Sequence, residues 1–190
     1  MRTITMFNRV SVDGFYAAAD GSIDWFIPDP HVDRAVHETG GKPYTVLFGR
    51  VTYQLFESHW PKAAADPDAP EQARKLGKEL TEMPKVVFSR TLNKVGWANS
   101  ELVKGDLVQE VKRRKQEDGP DIIIFGSGTI VQQLADEGLI DEYLIVLTPV
   151  VLGAGKLLFR DVRRFNLQLV EATGFDSGNV LLHYRLDKTK

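Results

Sequence analysis

The chain has 190 residues, 43% of them hydrophobic and 26% charged, with a formal net charge of −2 and no cysteine. That length suits one folded domain with a sizeable core, and the near-neutral balance argues against nucleic acid as the main partner. Disulfides, thiol nucleophiles and cysteine-based metal sites are excluded. The N-terminus is too short and polar for a signal peptide and no apolar run approaches membrane-spanning length, so a cytoplasmic protein with no membrane partner is expected.

In chain order, Ile4, Met6, Val10 and Val12 mark a first strand over roughly 3–12. It runs into Ser11-Val12-Asp13-Gly14, where an acid and a glycine at a strand end suggest a loop over the sheet edge. The aromatic, proline-broken stretch from Ile23 to Pro30 is either a lid over a flat ligand or a loop that packs its rings into the core. Asp29 can cap a helix opened by Pro30, with Val32, Ala35 and Val36 facing the core and Gly40-Gly41 ending it. Residues 44–48 read as a buried strand that runs through Gly49-Arg50 into a helix carrying Val51, Tyr53, Leu55 and Phe56. From Trp60 to Pro70 the Asp and Pro content predicts a loop.

Ala73, Leu76, Leu80 and Met83 recur at helical spacing before Pro84. Residues 85–88 form a third buried strand ending at Ser89-Arg90, and short strands are expected at 95–98 and 101–103. Asp106 can cap a helix whose basic end, Lys112 to Lys115, suits the helix dipole better than it suits nucleic acid. The run Asp121-Ile122-Ile123-Ile124-Phe125 is a strand buried on both faces. It breaks at Gly126-Ser127-Gly128-Thr129 into a helix with Ile130, Val131, Leu134 and Ala135 on one face. Residues 141–147 form another strand, 149–155 a loop, and 165–172 with 179–186 an antiparallel hairpin. The pattern predicts a three-layer α/β sandwich around a mixed, mostly parallel sheet, within a single domain over 1–190.

The histidines at 31, 37, 59 and 183 are dispersed, with no metal-ligand spacing, and neither G-x-S-x-G nor a P-loop is present. What remains is three strand ends: Gly49-Arg50-Val51-Thr52, Ser89-Arg90 and Gly126-Ser127-Gly128-Thr129. In a parallel sheet they converge on one edge, where open α/β sheets bind ligands. Helix N-termini there offer free N–H groups to a pyrophosphate, the glycines allow close approach, and two arginines suit one further phosphate. That combination points to NADPH over NADH. The competing reading is that the glycines only make tight strand-to-helix turns.

Ser11-Val12-Asp13-Gly14, Leu47-Phe48-Gly49-Arg50-Val51-Thr52-Tyr53, Phe88-Ser89-Arg90 and Phe125-Gly126-Ser127-Gly128-Thr129, with the later Leu152-Gly153, resemble the dihydrofolate-reductase-like superfamily. The branch they resemble shares the reductase (RibD C-terminal) domain of bacterial riboflavin biosynthesis. The resemblance implies a homodimeric, NADPH-dependent reductase of a small pterin- or pyrimidinone-like molecule. It implies that Arg50, Ser89 and Arg90 hold the 2′-phosphate, and that Gly49, Thr52, Gly126, Ser127, Gly128 and Thr129, with Ile130, hold the pyrophosphate. Asp13 and Trp25 would flank the nicotinamide and substrate, while Leu152 and Gly153 close the pocket. Asp13 is either a polar substrate contact or proton relay, or an aspartate that caps its own loop through the Asp13-Gly14 turn. Tyr53 and Phe56, at core-like helical spacing, are further candidates for the pocket wall.

Two departures leave the substrate open. The position five after Trp25, a carboxylate in dihydrofolate reductases, is Pro30, and Gly126-Ser127-Gly128 stands where riboflavin-pathway reductases carry Glu-Gly-Gly. Nucleotide binding without turnover, or an interaction module on the same fold, are the alternatives.

Overall fold

A computed structural model describes residues 1–40 and 44–188. The elements are β1 (Ile4–Ser11), β2 (Phe15–Ala17), α1 (Pro30–Gly40), β3 (Thr45–Gly49), α2 (Arg50–Ala65), α3 (Glu71–Glu82), β4 (Lys85–Phe88), β5 (Ser100–Val103), α4 (Leu107–Gln116), β6 (Ile122–Phe125), α5 (Gly128–Asp136), β7 (Glu142–Thr148), β8 (Lys156–Leu157), β9 (Leu167–Gly174) and β10 (Val180–Leu186). Eight strands form one sheet in the order β5-β4-β3-β6-β1-β7-β10-β9. Pairing is parallel from β5 to β7 and antiparallel at β7–β10 and β10–β9. The expected sandwich with a mostly parallel sheet and an antiparallel C-terminal hairpin is the observed one.

Alternation along the strands builds the layers. Leu47, Ile122, Ile124, Ile4 and Met6 point to the face covered by Val111 of α4 and Ile130, Val131 and Leu134 of α5. Their neighbours Val46, Phe48, Val87 and Ile123 point to the other face, under Tyr53 of α2 and Leu80 of α3. Val32 of α1 covers Val146 and Leu181 on that same side. Asp29 caps α1 as its position suggests, accepting the His31 N–H at 2.8 Å. Gly41, half of the expected stop for that helix, lies outside the described residues. Asp106 caps α4 by accepting the Gln109 N–H. The basic end of α4 is held in ion pairs: Lys112 with Glu137, Arg113 with Glu110 and Glu117, Arg114 with Glu101, and the buried Lys115 with Asp141.

Two local expectations are corrected, and one ribbon appears that no pattern announced. The loop expected from Trp60 begins only after Ala65, because α2 continues through Pro61. Pro61 has no N–H to give the preceding turn, but Ala63, Ala64 and Ala65 are strong helix formers and the turn is clamped against α3 at Gly77. An added Cβ at Gly77 would lie 2.7 Å from the Trp60 carbonyl oxygen. Residues 95–98 form no strand: the N–H groups of Gly96 and Trp97 donate to the Tyr53 hydroxyl, which satisfies them without a ladder. The two-stranded ribbon of β2 and β8 pairs segments of three and two residues, too short to leave a periodic signal.

Candidate functional site

Parallel register brings the three strand ends together. Gly49 pairs with Phe88 across β3 and β4, and Leu47 with Ile124 across β3 and β6. The turns that follow line one cleft of about 2150 Å³ at the carboxyl edge of the sheet.

Two of those turns are bolted to each other. Ser127 adopts the left-handed conformation (φ 51°, ψ 52°) at the N-cap of α5, a strained arrangement for a residue with a Cβ. Its Oγ accepts the Gly49 N–H at 2.9 Å, and its own N–H donates to Thr52 Oγ1 at 3.1 Å. Asn8 Nδ2 donates to the Gly126 carbonyl at 3.2 Å and so ties the turn to β1. Neither α2 nor α5 has a side-chain cap. The first N–H groups of α5, on Gly128 and Thr129, therefore find no acceptor among the described residues. Arg50 and Arg90 are exposed, and neither forms an ion pair among the described residues; Arg50 Nη1 reaches only Gln54 at 3.3 Å. Ser89 is buried, its Oγ accepting the N–H groups of Thr91 and Leu92, which fixes the turn that carries Arg90. Cations without an ion-pair partner among the described residues thus stand beside free helix N–H groups, the kind of donor set that an anion requires.

The glycines act differently from the open cradle expected of them. A Cβ at Gly126 would stand 3.3 Å from Thr52 Cγ2, and one at Gly128 would stand 2.4 Å from Tyr16 Cε1. Both positions give their missing Cβ to the protein's own side chains.

From this edge the cleft extends over the sheet face between α1 and α2. Phe7, Phe26, Phe56, Trp60 and Phe125 line it, with Phe7 edge-on to Phe125 at 5.9 Å and Phe56 5.7 Å from Phe125. Set among these rings is an ion pair, Arg9 Nη2 to Asp33 Oδ1 at 2.5 Å. The Arg9 guanidinium lies 5.8 Å from the centroid of the Phe26 ring, and its Nη1 is buried with no partner among the described residues. His37 and Glu79, 3.1 Å apart, join α1 to α3 along the same wall.

Gly49, Arg50, Thr52, Ser89, Arg90, Gly126, Ser127, Gly128, Thr129 and Ile130 all line the cleft, as does Phe56. Five further candidates do not. The Asp13 carboxylate accepts the Ser11 hydroxyl and the N–H groups of Leu152 and Gly153, so these three residues form a loop clamp. The Ser11 hydrogen bond, followed by those from Gly153 and Leu152, holds the Asp13 carboxyl below its ordinary pKa; near neutral pH it has no proton to give. Tyr53 is only 1% exposed, with its hydroxyl spent on Glu57, Gly96 and Trp97. Trp25 stands edge-on to Phe26, its Nε1 buried and without a partner among the described residues; Phe26, its neighbour, reaches the cleft instead. The sequence reading passed over Tyr16, Arg9 and Asp33. Arg9 is the one charged residue of β1, and that was the available signal for it.

Residues 2–181 match the family described as the RibD C-terminal domain. YyaP of Bacillus subtilis (strain 168), an uncharacterised protein, is 34% identical over 184 residues, 96% of this chain and 94% of its own. Among solved structures, the Thermotoga maritima diaminohydroxyphosphoribosylaminopyrimidine deaminase/5-amino-6-(5-phosphoribosylamino)uracil reductase superposes with a TM-score of 0.68 at 16% identity, over 98% of this chain and 57% of that one. Dihydrofolate reductase from Enterococcus faecalis, solved with NADP(H), gives 0.65 at 11% identity, over 98% and 97%. These two likenesses establish the fold, and the sequence match goes further: the chain belongs to the RibD C-terminal domain family.

Proposed function

We propose that this protein is an NADPH-dependent reductase of a small, flat C=N or C=O compound, pterin- or pyrimidinone-like in shape. The observation that carries the reading is the convergence, on one sheet edge, of uncapped helix N-termini with two arginines that have no carboxylate partner among the described residues. A dinucleotide with a third phosphate fits that donor set. Arg50 and Arg90, on the turn fixed by Ser89, would hold the 2′-phosphate; the free N–H groups of Gly128 and Thr129 would hold the pyrophosphate. When bound, the cofactor supplies the hydride.

The chain's own contribution is placement. Strand spacing is ~4.8 Å, so a dinucleotide anchored beside β4 and stretched along the edge past β3 and β6 reaches β1 after roughly 14 Å. There the aromatic chamber opens, with Phe7, Phe56 and Phe125 to flank a flat ring and exclude water from it. The Arg9–Asp33 pair presents a donor and an acceptor side by side to the ring's polar edge. Asp13 acts on the loops, holding the segment after β1 against Leu152 and Gly153.

Titration of the purified protein with NADPH and with NADH tests the reading. The expected result is a clear preference for NADPH. Arg50→Ala and Arg90→Ala should each weaken NADPH about ten-fold or more, the scale of a lost charge-assisted hydrogen bond, with little effect on NADH. Absence of binding to either dinucleotide overturns the proposal.

A further inference from the structure

The sheet places the one charged residue of β1 where the cleft opens. Phe7 and Arg9, two apart in the strand, point to the same face. Phe7 pairs with Phe125, the last residue of β6, and beyond that pair β6 has turned away through Gly126 into α5. Arg9 therefore stands past the paired rings, at the carboxyl edge, without a strand partner on its β6 side.

The Arg9 side chain is 11% exposed and lines the cleft. Its Nη2 is held by Asp33 of α1 at 2.5 Å, and the Phe26 ring covers the guanidinium at 5.8 Å. Nη1 has no partner among the described residues. Of the buried side-chain nitrogens and oxygens there in that condition, it alone belongs to a residue that lines the cleft. A buried charged donor without an acceptor is costly, and the ion pair to Asp33 keeps the guanidinium from swinging out to water. The acceptor has to come from within the cleft.

The same pair decides what kind of acceptor fits. Asp33 already offsets the guanidinium charge, and the surroundings are the rings of Phe7, Phe26 and Phe125. A phosphate or carboxylate would bring an unbalanced charge next to Asp33. A neutral carbonyl oxygen satisfies the donor without one, and an amino group in its place would set donor against donor. We propose that Arg9 is a specificity-determining residue for the substrate: its guanidinium donates to a carbonyl oxygen on the flat ring and so selects oxo-heterocycles over their amino counterparts. The assignment rests on the reductase reading and names the functional group that the aromatic chamber takes.

The test uses two fluorescent probes built on one flat bicycle: lumazine, a pteridine dione, and the diaminopteridine with amino groups in place of both oxygens. Each is titrated into the full chain and into its Arg9→Met and Arg9→Lys variants, with NADPH titrated beside them. Methionine keeps an apolar stem under Phe26 and removes the donors. Lysine keeps a charge opposite Asp33 but lacks the fork that serves two acceptors at once. Wild type should bind the dione about ten-fold or more tighter than the diamine, and each variant should lose about ten-fold on the dione alone, the scale of one charge-assisted hydrogen bond. NADPH affinity should stay within about two-fold in both variants, as expected of separate sites. A preference for the dione that persists in both variants overturns the assignment, as does a wild type that favours the diamine. Wild-type protein that binds neither pteridine overturns it whatever it does with NADPH. Wild-type protein that binds no NADPH overturns the cofactor reading, and the selectivity between the two pteridines still decides the role of Arg9.

Discussion

Gly128 begins α5 under the Tyr16 ring, and two opposing effects decide what a methyl group there would do. Alanine is the better helix former by up to about 1 kcal/mol, and Gly128 is absent from the glycines with positive φ, so the backbone accepts the change. The added Cβ meets Tyr16 at 2.4 Å, but what it meets is the far end of a side chain that can swing aside. Gly128→Ala should therefore leave stability within about 1 kcal/mol of wild type while weakening NADPH, because the methyl and the displaced ring crowd the N–H groups that start α5. Thermal melting together with NADPH titration checks both halves; a variant that keeps full NADPH affinity refutes the second. The strand-end residues were legible because each sits at a break in hydrophobic pattern that a sequence displays directly: a buried run, a glycine, then an arginine or a hydroxyl. Tyr16, Arg9 and Asp33 were not, because their roles depend on which element they face. Asp13 looked catalytic for a similar reason. An Asp-Gly turn at a strand end reads identically whether the carboxylate faces a ligand or, as here, the backbone of a loop 139 residues away.

At the scale of elements, the contact between α2 and α3 is the least forgiving. Gly77 is buried, and an added Cβ would approach the Trp60 carbonyl oxygen to 2.7 Å and the Ala64 N and Cβ to 3.0 Å. Backbone cannot swing aside as a tyrosine ring can. Gly77→Ala should therefore destabilise by about 1–3 kcal/mol, the usual penalty for overpacking, despite the gain in helix propensity. Urea unfolding measures it, and a stabilised variant would show that the two helices separate freely. This packing also explains why the end of α2 was misread. Pro61 in sequence signals a break, whereas the compensation comes from a helix that begins ten residues further on, through a residue with no side chain, Gly77. Helices with a continuous apolar face, α3 and α5, were legible from spacing alone. The insertion of β6 between β1 and β3 was not, since strand order is a long-range choice that local periodicity does not encode.

The titrating groups give the whole molecule a dome of stability with unlike limbs. On the acid side, Asp29 is held below its ordinary pKa by the Ser177 hydroxyl. Asp141 is held low too: burial alone would raise it, but hydrogen bonds from Lys115, the Ile4 N–H and Lys188 outweigh that. Carboxylates lowered on folding add stability that is present above their unfolded values near ~4 and lost as pH falls through the folded ones. The alkaline side has two opposed contributions. Burial pulls Lys85 down to about 8, even though its ammonium donates to the carbonyls of Leu80, Thr81 and Met83 and lies 4.5 Å from the centroid of the Trp97 ring. Unfolded, it titrates near ~10.4; between the two values the unfolded chain holds the extra proton, so this residue makes stability rise with pH. Burial, with Asp121 and Glu142 nearby, pushes Tyr44 up to about 12, and burial raises Tyr143 further still. Above ~10 the unfolded chain loses these phenolic protons first, and stability falls. The thermal midpoint should therefore climb between about pH 8 and 10 and decline beyond it. Lys85→Met should abolish the climb and leave the decline, whereas Tyr44→Phe should soften the decline and leave the climb. A climb that survives in Lys85→Met would mean that the buried ammonium keeps its proton throughout, held by its three carbonyls.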